Sequence, residues 1–376
     1  MTSLDVLLVV PWSGGAHAAW AEGLARHCSH RIRIVEHEDR FWRWRQRGSA
    51  VTLAELAAAD VAHHGRPDVV VAADFVNLAA FVGLSRSWLT DQPVVLYLHE
   101  NQVGYPVLLG RSIEDEAAAV DWVSMQVADA IWCNSAFQRD HLAEHLPAWL
   151  ASAPDNDHRH LLLRTLEKFN VLPVGLELSD LPVLRADRDD SKPPLITWNQ
   201  RWAHDKDPGR FLRNLVRLAD EGVPFDVALA GPNRRSDPQE FTEAIDRLGA
   251  RVVHVGFLER AAYAELLGRT DVVVSTARHE FFGVALLEAI ACGAIPVLPA
   301  SLSYPEVIPA RYHEAALYGP GRLGDRLEQV LLDLPAARAR VSGLADAVAE
   351  LAWPAVADRY DRALAELVAG ARSSAR

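Results

Sequence analysis

The sequence predicts an α/β protein built from two Rossmann-like parallel-sheet domains facing a cleft. Three observations lead there. Apolar runs of strand length alternate with helix-length segments, the pattern of parallel sheets with right-handed crossovers. The alternation lapses in a charged, proline-containing stretch and then restarts. At 376 residues the chain is long for a single core and suits two domains of ordinary size.

Residues 4–10, Leu-Asp-Val-Leu-Leu-Val-Val, form the first buried-strand run. Pro11-Trp12-Ser13-Gly14-Gly15 then leads into a helix with Trp20, Leu24 and Ala25 inside. Further strand runs are Asp68–Ala72, Pro93–Leu98, Ala130–Cys133 and Asn170–Leu172. These place a first domain at residues 1–178. Between Leu178 and Pro194 there are several Asp and Arg, three prolines and little apolar periodicity, so residues 179–194 read as a linker. The second domain, 195–343, has strand runs at Leu195–Trp198, Phe225–Ala230, Arg251–His254, Asp271–Ser275 and Ala294–Leu298. An amphipathic helical pattern from Leu344 to about Val368 marks 344–376 as a terminal helical segment. No internal repeat of solenoid period is present.

Half of the residues are apolar, enough for a large core, and no apolar run approaches the ~20 residues that span a bilayer. Met1-Thr2-Ser3-Leu4-Asp5 lacks the basic region that opens a secretory signal. Cys28, Cys133 and Cys292 lie far apart, against a disulfide framework or zinc knuckle and for buried thiols in a reducing cytoplasm. The formal net charge is −12, from 38 basic and 50 acidic side chains, which counts against a dedicated nucleic-acid-binding protein. Between Arg31 and Arg47, however, six arginines face three acids. An enzyme that holds RNA transiently can manage with such a local patch, and the case for nucleic acid rests on it.

Glu280-Phe281-Phe282-Gly283-Val284-Ala285-Leu286-Leu287-Glu288 carries the most chemistry. Glu280 lies on a loop that feeds a helix and Glu288 lies within it. Eight steps at about 100° bring a side chain back to within roughly 80° of its starting direction, so both carboxylates can border one crevice. Free N–H groups at the helix start suit a phosphate, and carboxylates can accept from sugar and ribose hydroxyls. Together these fit a nucleotide-sugar. An ordinary helix with two exposed glutamates has the same spacing.

Asn199-Gln200-Arg201-Trp202-Ala203-His204-Asp205-Lys206-Asp207-Pro208 links a strand run to a helix bearing Phe211, Leu212, Leu215 and Leu218 on one face. Arg201 and Lys206 therefore sit at the carboxyl edge of a parallel sheet, where two cations can converge on an anion. Pairing of Lys206 with Asp205 or Asp207 in a solvated loop is the plainer alternative.

Arg201 and Lys206, followed by Glu280 and Glu288 with seven residues between them, resemble the donor site of retaining GT-B glycosyltransferases. His99-Glu100-Asn101-Gln102 with Tyr105-Pro106-Val107, Arg201-Trp202 with His204 to Pro208, and His279 to Ala285 resemble the tRNA-queuosine mannosyltransferase family. Tyr304-Pro305-Glu306 with Pro309-Ala310 and Tyr312 extends the likeness, which runs from Gly14 to about Tyr312. The resemblance implies the GT-B fold and a terminal helix that crosses back to the first domain. It also implies transfer of mannose from GDP-mannose to the cyclopentenediol of queuosine in the anticodon of tRNA-Asp, with retention. GDP-mannose is then a substrate, with no cofactor required. In that family the loop matching Gly14-Gly15 faces the donor diphosphate, and His17 stands beside it. A plain strand-to-helix turn explains the two glycines equally well.

His99, Glu100, Asn101 and Gln102 follow a strand-like run, at the edge where α/β enzymes bind ligands. His99 could bond the transferred sugar, and Glu100 or Asn101 could orient the acceptor; His99 could equally cap the following segment. No second carboxylate offers itself as a covalent nucleophile, which favours front-face displacement. Charge on the leaving diphosphate would be met by Arg201 and Lys206. Asp187, Asp189 and Asp190 fall in the linker, and no divalent metal is expected. Backbone near Gly256 is a candidate for reading the donor base.

Phe41-Trp42-Arg43-Trp44-Arg45-Gln46-Arg47 alternates. As an extended strand it would put Trp42 and Trp44 on one face and Arg43, Arg45 and Arg47 on the other. Aromatic faces and guanidinium planes hold unstacked RNA bases, so the segment suits an anticodon loop. A half-buried edge strand suits it too. Two readings compete with the tRNA enzyme. One is a GT-B transferase acting on a lipid, glycan or small metabolite; the other is a non-catalytic nucleotide-binding protein. Intact Arg201, Lys206, Glu280 and Glu288 count against the last.

Overall fold

The computed structural model describes residues 3–104, 115–182, 192–231 and 239–374. Tyr105, Pro106, Val107, Asp187, Asp189 and Asp190 lie outside them. The chain divides into two compact units, Met1–Gly175 with Trp353–Arg376, and Leu176–Ala352.

In the first unit, strands β1 (Asp5–Ser13), β2 (Arg31–Glu38), β3 (Val69–Ala73), β4 (Val94–Leu98), β5 (Ala130–Cys133) and β6 (Phe169–Val171) form one parallel sheet in the order β2-β1-β3-β4-β5-β6. Val6–Val10, Val69–Ala73 and Val94–Leu98 are buried. Strands covered on both faces need continuous apolar runs rather than alternation, which is why these segments stand out in the sequence. Strand order reverses between β1 and β3. Loops leaving neighbouring strands there diverge to opposite faces and open a crevice at the carboxyl ends.

The edge strand β2 has no continuous apolar run; Arg31-Ile32-Arg33-Ile34 alternates instead. Two arginines of the basic stretch are thereby consumed structurally. Arg33 is buried and pairs with Asp60 and with Asp5 (2.7 Å), while Arg31 lies 3.3 Å from Asp5.

The extended strand expected over Phe41–Arg47 is not formed. Trp42–His64 is a 23-residue helix. Phe41 takes the left-handed conformation (φ 55°), and its carbonyl accepts from Trp44 N (2.8 Å) and Arg45 N (3.0 Å). Ala50, Leu53, Ala54 and Ala57 of this helix are buried at helical spacing, and their burial overrides the short alternation. Trp42 and Trp44 consequently point about 160° apart and share no face.

The pattern from Leu344 onward is also interrupted. Leu344–Ala349 is a short helix of the second unit, and the terminal helix Trp353–Ser374 belongs to the first. Trp20 Nε1 donates to the Tyr360 hydroxyl (3.0 Å), which lies 3.2 Å from the Pro173 carbonyl. Asp361 accepts from Cys28 Sγ (2.6 Å) and Ser29 N (3.1 Å). Burial and the Asp361 carboxylate push the Cys28 thiol up to about 12, so it is a structural, unreactive group.

The second unit holds β7 (Leu195–Trp198), β8 (Asp226–Ala230), β9 (Val252–Gly256), β10 (Val272–Val274), β11 (Ile295–Pro299) and β12 (Leu317–Tyr318). Their order is β12-β11-β10-β7-β8-β9, all parallel, with the reversal between β7 and β10. No helix among the described residues is long and apolar enough to cross a membrane.

Gly23 tests the docking of the terminal helix. On an exposed helix Gly→Ala is favourable by about 1 kcal/mol. Here an added Cβ would overlap the Trp353 indole. Gly23→Ala should therefore destabilise the first unit by about 1–3 kcal/mol. A thermal melt at or above the wild-type midpoint would show that Trp353 does not pack there.

Candidate functional site

Two polar clusters occupy the carboxyl ends of the sheets, each at the point of reversed strand order. In the second unit, the loop after β7 carries Arg201, Asp205 and Lys206, and the loop after β10 carries His279 and Glu280. Backbone contacts stitch the loops together: Arg278 N donates to Asp205 O (2.7 Å) and Thr276 Oγ1 to Lys206 O (2.7 Å). Asp207 caps the helix Pro208–Asp220 by accepting from Arg210 N (3.3 Å).

Lys206 is buried. Its ammonium donates to the His279 carbonyl (2.7 Å) and to Glu280 Oε2 (3.0 Å), and lies 3.4 Å from Asp205 Oδ2. Arg201 Nη2 lies 3.6 Å from the same Asp205 oxygen, with its side chain 59% exposed. The two cations thus converge on Asp205, and Lys206 carries Glu280 with it. Burial alone would raise the Asp205 and Glu280 carboxyls; the Lys206 charge outweighs it and holds both below the usual carboxylate range. Burial likewise opposes the charge on Lys206, but Glu280 and Asp205 raise it above the usual lysine range.

Glu280 Oε1 also accepts from Phe282 N (3.3 Å). Phe281 and Phe282 are buried, and Gly283 takes φ 91° as the residue before the helix Val284–Ala291. That conformation is the reason for a glycine here. The first N–H groups of any helix have no intrahelical acceptor, so an acceptor-rich ligand suits this end.

Glu288 belongs to a separate pair. It accepts from Arg260 Nη1 (2.7 Å), and Arg260 also grips Asp180 (2.7 and 2.8 Å) and the Glu177 carbonyl (2.8 Å). Burial raises the Glu288 carboxyl above its ordinary value despite the guanidinium. Arg260 escaped the sequence reading because it pairs across 28 positions with no local motif. Gly256 stands at the end of the edge strand β9, its carbonyl accepting from Gly231 N (3.1 Å), outside the Lys206 network.

In the first unit the loops at the carboxyl ends of the strands bring His17 and His99 to a residue the sequence reading missed, Asp74. Gly14 packs on Asp39, and Gly15 precedes the helix Ala16–His27. Asp74 Oδ1 accepts from His17 Nε2 (2.8 Å) and His99 Nδ1 (3.0 Å). Its other oxygen accepts from the backbone N–H of His99 (3.1 Å) and Glu100 (2.9 Å). A charged residue directly after the apolar run Val69–Ala73 was the available signal. The three side chains have the spacing of a metal-ligand set, but two N–H donors on one carboxylate oxygen account for the geometry. Gln102 donates to Glu100 Oε1 (3.0 Å), and its N–H to Asp121 (3.1 Å). The buried Asn101 amide has no hydrogen-bond partner among the described residues.

The start of the helix Trp42–His64 lies beside this cluster through Phe75, whose ring is 5.4 Å from His17 and 6.3 Å from Trp42. Arg43 stacks over Trp42 (5.4 Å), and Arg45 reaches the Glu38 carbonyl (3.4 Å). Trp44 is 63% exposed and Phe41 76%. Of the aromatic residues proposed for the acceptor, Trp44 is open to solvent while Trp42 is half-buried.

Residues 5–176 match the family model described as tRNA-queuosine alpha-mannosyltransferase N-terminal, and residues 184–342 match Glycosyl transferases group 1. The chain is 32% identical over 312 residues to a tRNA-queuosine alpha-mannosyltransferase of Drosophila melanogaster, covering 81% of each protein. It is 33% identical over 113 residues to a GDP-mannose-dependent alpha-(1-6)-phosphatidylinositol dimannoside mannosyltransferase of Mycobacterium tuberculosis, covering 29% of this chain and 28% of that one. Among solved structures, sucrose-phosphate synthase from Thermosynechococcus elongatus superposes with a TM-score of 0.74 at 18% identity, over 97% of this chain and 100% of that one.

Lys206 sets the stability of its cluster. Lys206→Met leaves Asp205 and Glu280 without their buried cation and should cost about 3 kcal/mol near pH 7. Both carboxyls are depressed in the fold, so the stability they contribute is present above the unfolded carboxylate range, near pH 4, and is lost as pH falls through the folded values. The deficit of Lys206→Met should therefore narrow below about pH 4. Denaturant midpoints of both proteins across pH check this, and a deficit constant with pH contradicts the ion-pair account.

Proposed function

The chain belongs to the tRNA-queuosine alpha-mannosyltransferase family, and from that membership and the site geometry we propose that it transfers mannose from GDP-mannose to the cyclopentenediol of queuosine in tRNA, with retention. It is a glycosyltransferase of the GT-B fold. The observation that carries the reading is the joining of Arg201, Asp205, Lys206 and Glu280 beside a helix start at the switch point of the second sheet.

In this mechanism Arg201 grips the donor diphosphate and Lys206 adds positive charge from the buried side. The bond from the mannose C1 to the diphosphate oxygen breaks, and the queuosine hydroxyl attacks C1 from the same face. Its proton passes to the departing phosphate oxygen, so GDP leaves and no protein nucleophile is consumed. Charge growing on the leaving group meets preorganised cations, and since these are the protein's own, no divalent ion is required. Glu280 orients the transferred sugar. Glu288 accepts from the ribose hydroxyls. Backbone around Phe281, Phe282, Gly283 and Val284 serves the diphosphate, and that near Gly256 reads the base. His99 bonds the sugar. Glu100, Asn101, Gln102 and His17 serve the acceptor, and the buried Asn101 amide, which has no hydrogen-bond partner among the described residues, supports a ligand there. A cytoplasmic location follows from a tRNA substrate.

Incubation with GDP-mannose and queuosine-containing tRNA, followed by mass analysis of the digested nucleosides, tests the assignment. Queuosine should gain one hexose. Arg201→Ala should slow the gain by roughly 10²–10³. Unmodified queuosine, with a lipid or small sugar glycosylated instead, would overturn it.

The tRNA contact is assigned to Arg43, Arg45 and the exposed Trp44, with Trp42 as their support. Trp44→Ala should keep the wild-type melting temperature and weaken tRNA binding by about 1–3 kcal/mol. Replacing Arg43 and Arg45 by Ala should flatten the logarithmic salt dependence by roughly 0.7–0.9 for each lost phosphate contact. Filter binding over a salt series measures both, and an unchanged slope moves the acceptor site elsewhere.

A further inference from the structure

Asp74 directly follows β3, and its side chain is 2% exposed. Two imidazole nitrogens and two backbone N–H groups surround its carboxylate at 2.8–3.1 Å. Four donors leave an ionised carboxylate no need of a proton. Burial alone would raise its pKa, but the two histidines hold it well below the ordinary range. An acceptor-only carboxylate requires the ring nitrogens that face it to carry hydrogen, which makes His99 the Nδ1–H tautomer. Burial and the neighbouring His17 hold His99 down to about 4, so the ring is neutral near neutral pH. A neutral Nδ1–H imidazole has a lone pair on Nε2. That atom is buried and has no hydrogen-bond partner among the described residues.

The ring is also fixed in place. The His17 ring lies 3.9 Å from it, tilted by 33°, Tyr97 and Trp20 meet it edge-on at 4.7 and 4.9 Å, and Asn134 Nδ2 donates to the His99 backbone carbonyl (2.8 Å).

We propose that Asp74 is a positioning residue for glycosyl transfer: by accepting from His17 Nε2 and His99 Nδ1 together, it fixes His99 with Nε2 as the acceptor for a hydroxyl of the transferred sugar. This rests on the assignment of His99 to that sugar. The chemistry is selective. A bare nitrogen lone pair accepts from a hydroxyl and repels an unprotonated phosphate oxygen, so His99 discriminates sugar from diphosphate. The opposite tautomer, or an imidazolium, would present N–H and reverse that preference.

Two-bond ¹⁵N–¹H spectra of histidine-labelled protein at neutral pH read the tautomer directly, with His99 assigned by the signal missing in His99→Phe. Wild-type His99 should be protonated at Nδ1. Asp74→Asn should shift protonation toward Nε2 and lower kcat by about 10²-fold, with GDP affinity by calorimetry unchanged. If His99→Phe transfers mannose at the wild-type rate, the assignment of His99 to the sugar fails. If His99→Phe is impaired but wild-type His99 is protonated at Nε2, or Asp74→Asn keeps wild-type kcat, the role of Asp74 fails alone. The wild-type spectrum decides even if Asp74→Asn does not fold.

Discussion

Parallel strand order constrains the rest of this protein. A parallel sheet buried on both faces satisfies its backbone internally and leaves its strand interiors no polar work. Polar chemistry is forced to the carboxyl ends, and within each sheet it concentrates where the order reverses. Gly14 and His17 leave β1 on one side of the first reversal, while Asp74 leaves β3 on the other. Arg201 and Lys206 leave β7, and His279 and Glu280 leave β10. Neither cluster could assemble from one loop.

Within the second cluster, two cations and two carboxylates balance in charge, yet they are held very differently. Lys206 sits at 2.7 and 3.0 Å from its acceptors and is buried. Moving it would strand two partly desolvated carboxylates. Arg201 approaches Asp205 to 3.6 Å from the outside, its own side chain largely exposed although Asp205 is buried. If Arg201 turns outward to a diphosphate, Lys206 still faces Asp205, whereas moving Lys206 leaves Glu280 without its cation. Under the proposed mechanism, Lys206 is a fixed source of field and Arg201 the group that closes on the leaving phosphate.

How far the sequence revealed this depends on whether each signal was local. The central strands were readable because burial on both faces demands unbroken runs such as Val94–Leu98. The edge strand β2 was not, because Arg33 is buried through pairing with Asp60, 27 positions away. The Trp-Arg alternation near Arg43 misled because it is shorter than the helical face formed by Ala50, Leu53, Ala54 and Ala57. Lys206 and Glu280 were legible as site candidates, but their direct pairing across 74 positions was not. Arg260 carried no local signal and Asp74 only that of a charge after an apolar run: each draws its meaning from partners that only the sheet brings near.

Phe75 connects the histidine cluster to the helix assigned to tRNA. It is a non-glycine residue at φ 66°, a conformation that costs about 1–2 kcal/mol and persists only where its surroundings impose it. On one side Asp74 is anchored by four donors; on the other, Val76 O accepts from Ser124 Oγ (3.2 Å). Held between these anchors, the ring lies between His17 and Trp42. Trp42 is half-buried against this ring, while Phe41 and Trp44 are exposed. Under the proposed function, a rigid wall shared by the acceptor helix and the histidines would let an RNA held at the helix start present its hydroxyl to a sugar in a fixed geometry, and orientation of that kind can supply up to roughly 7–11 kcal/mol of a barrier.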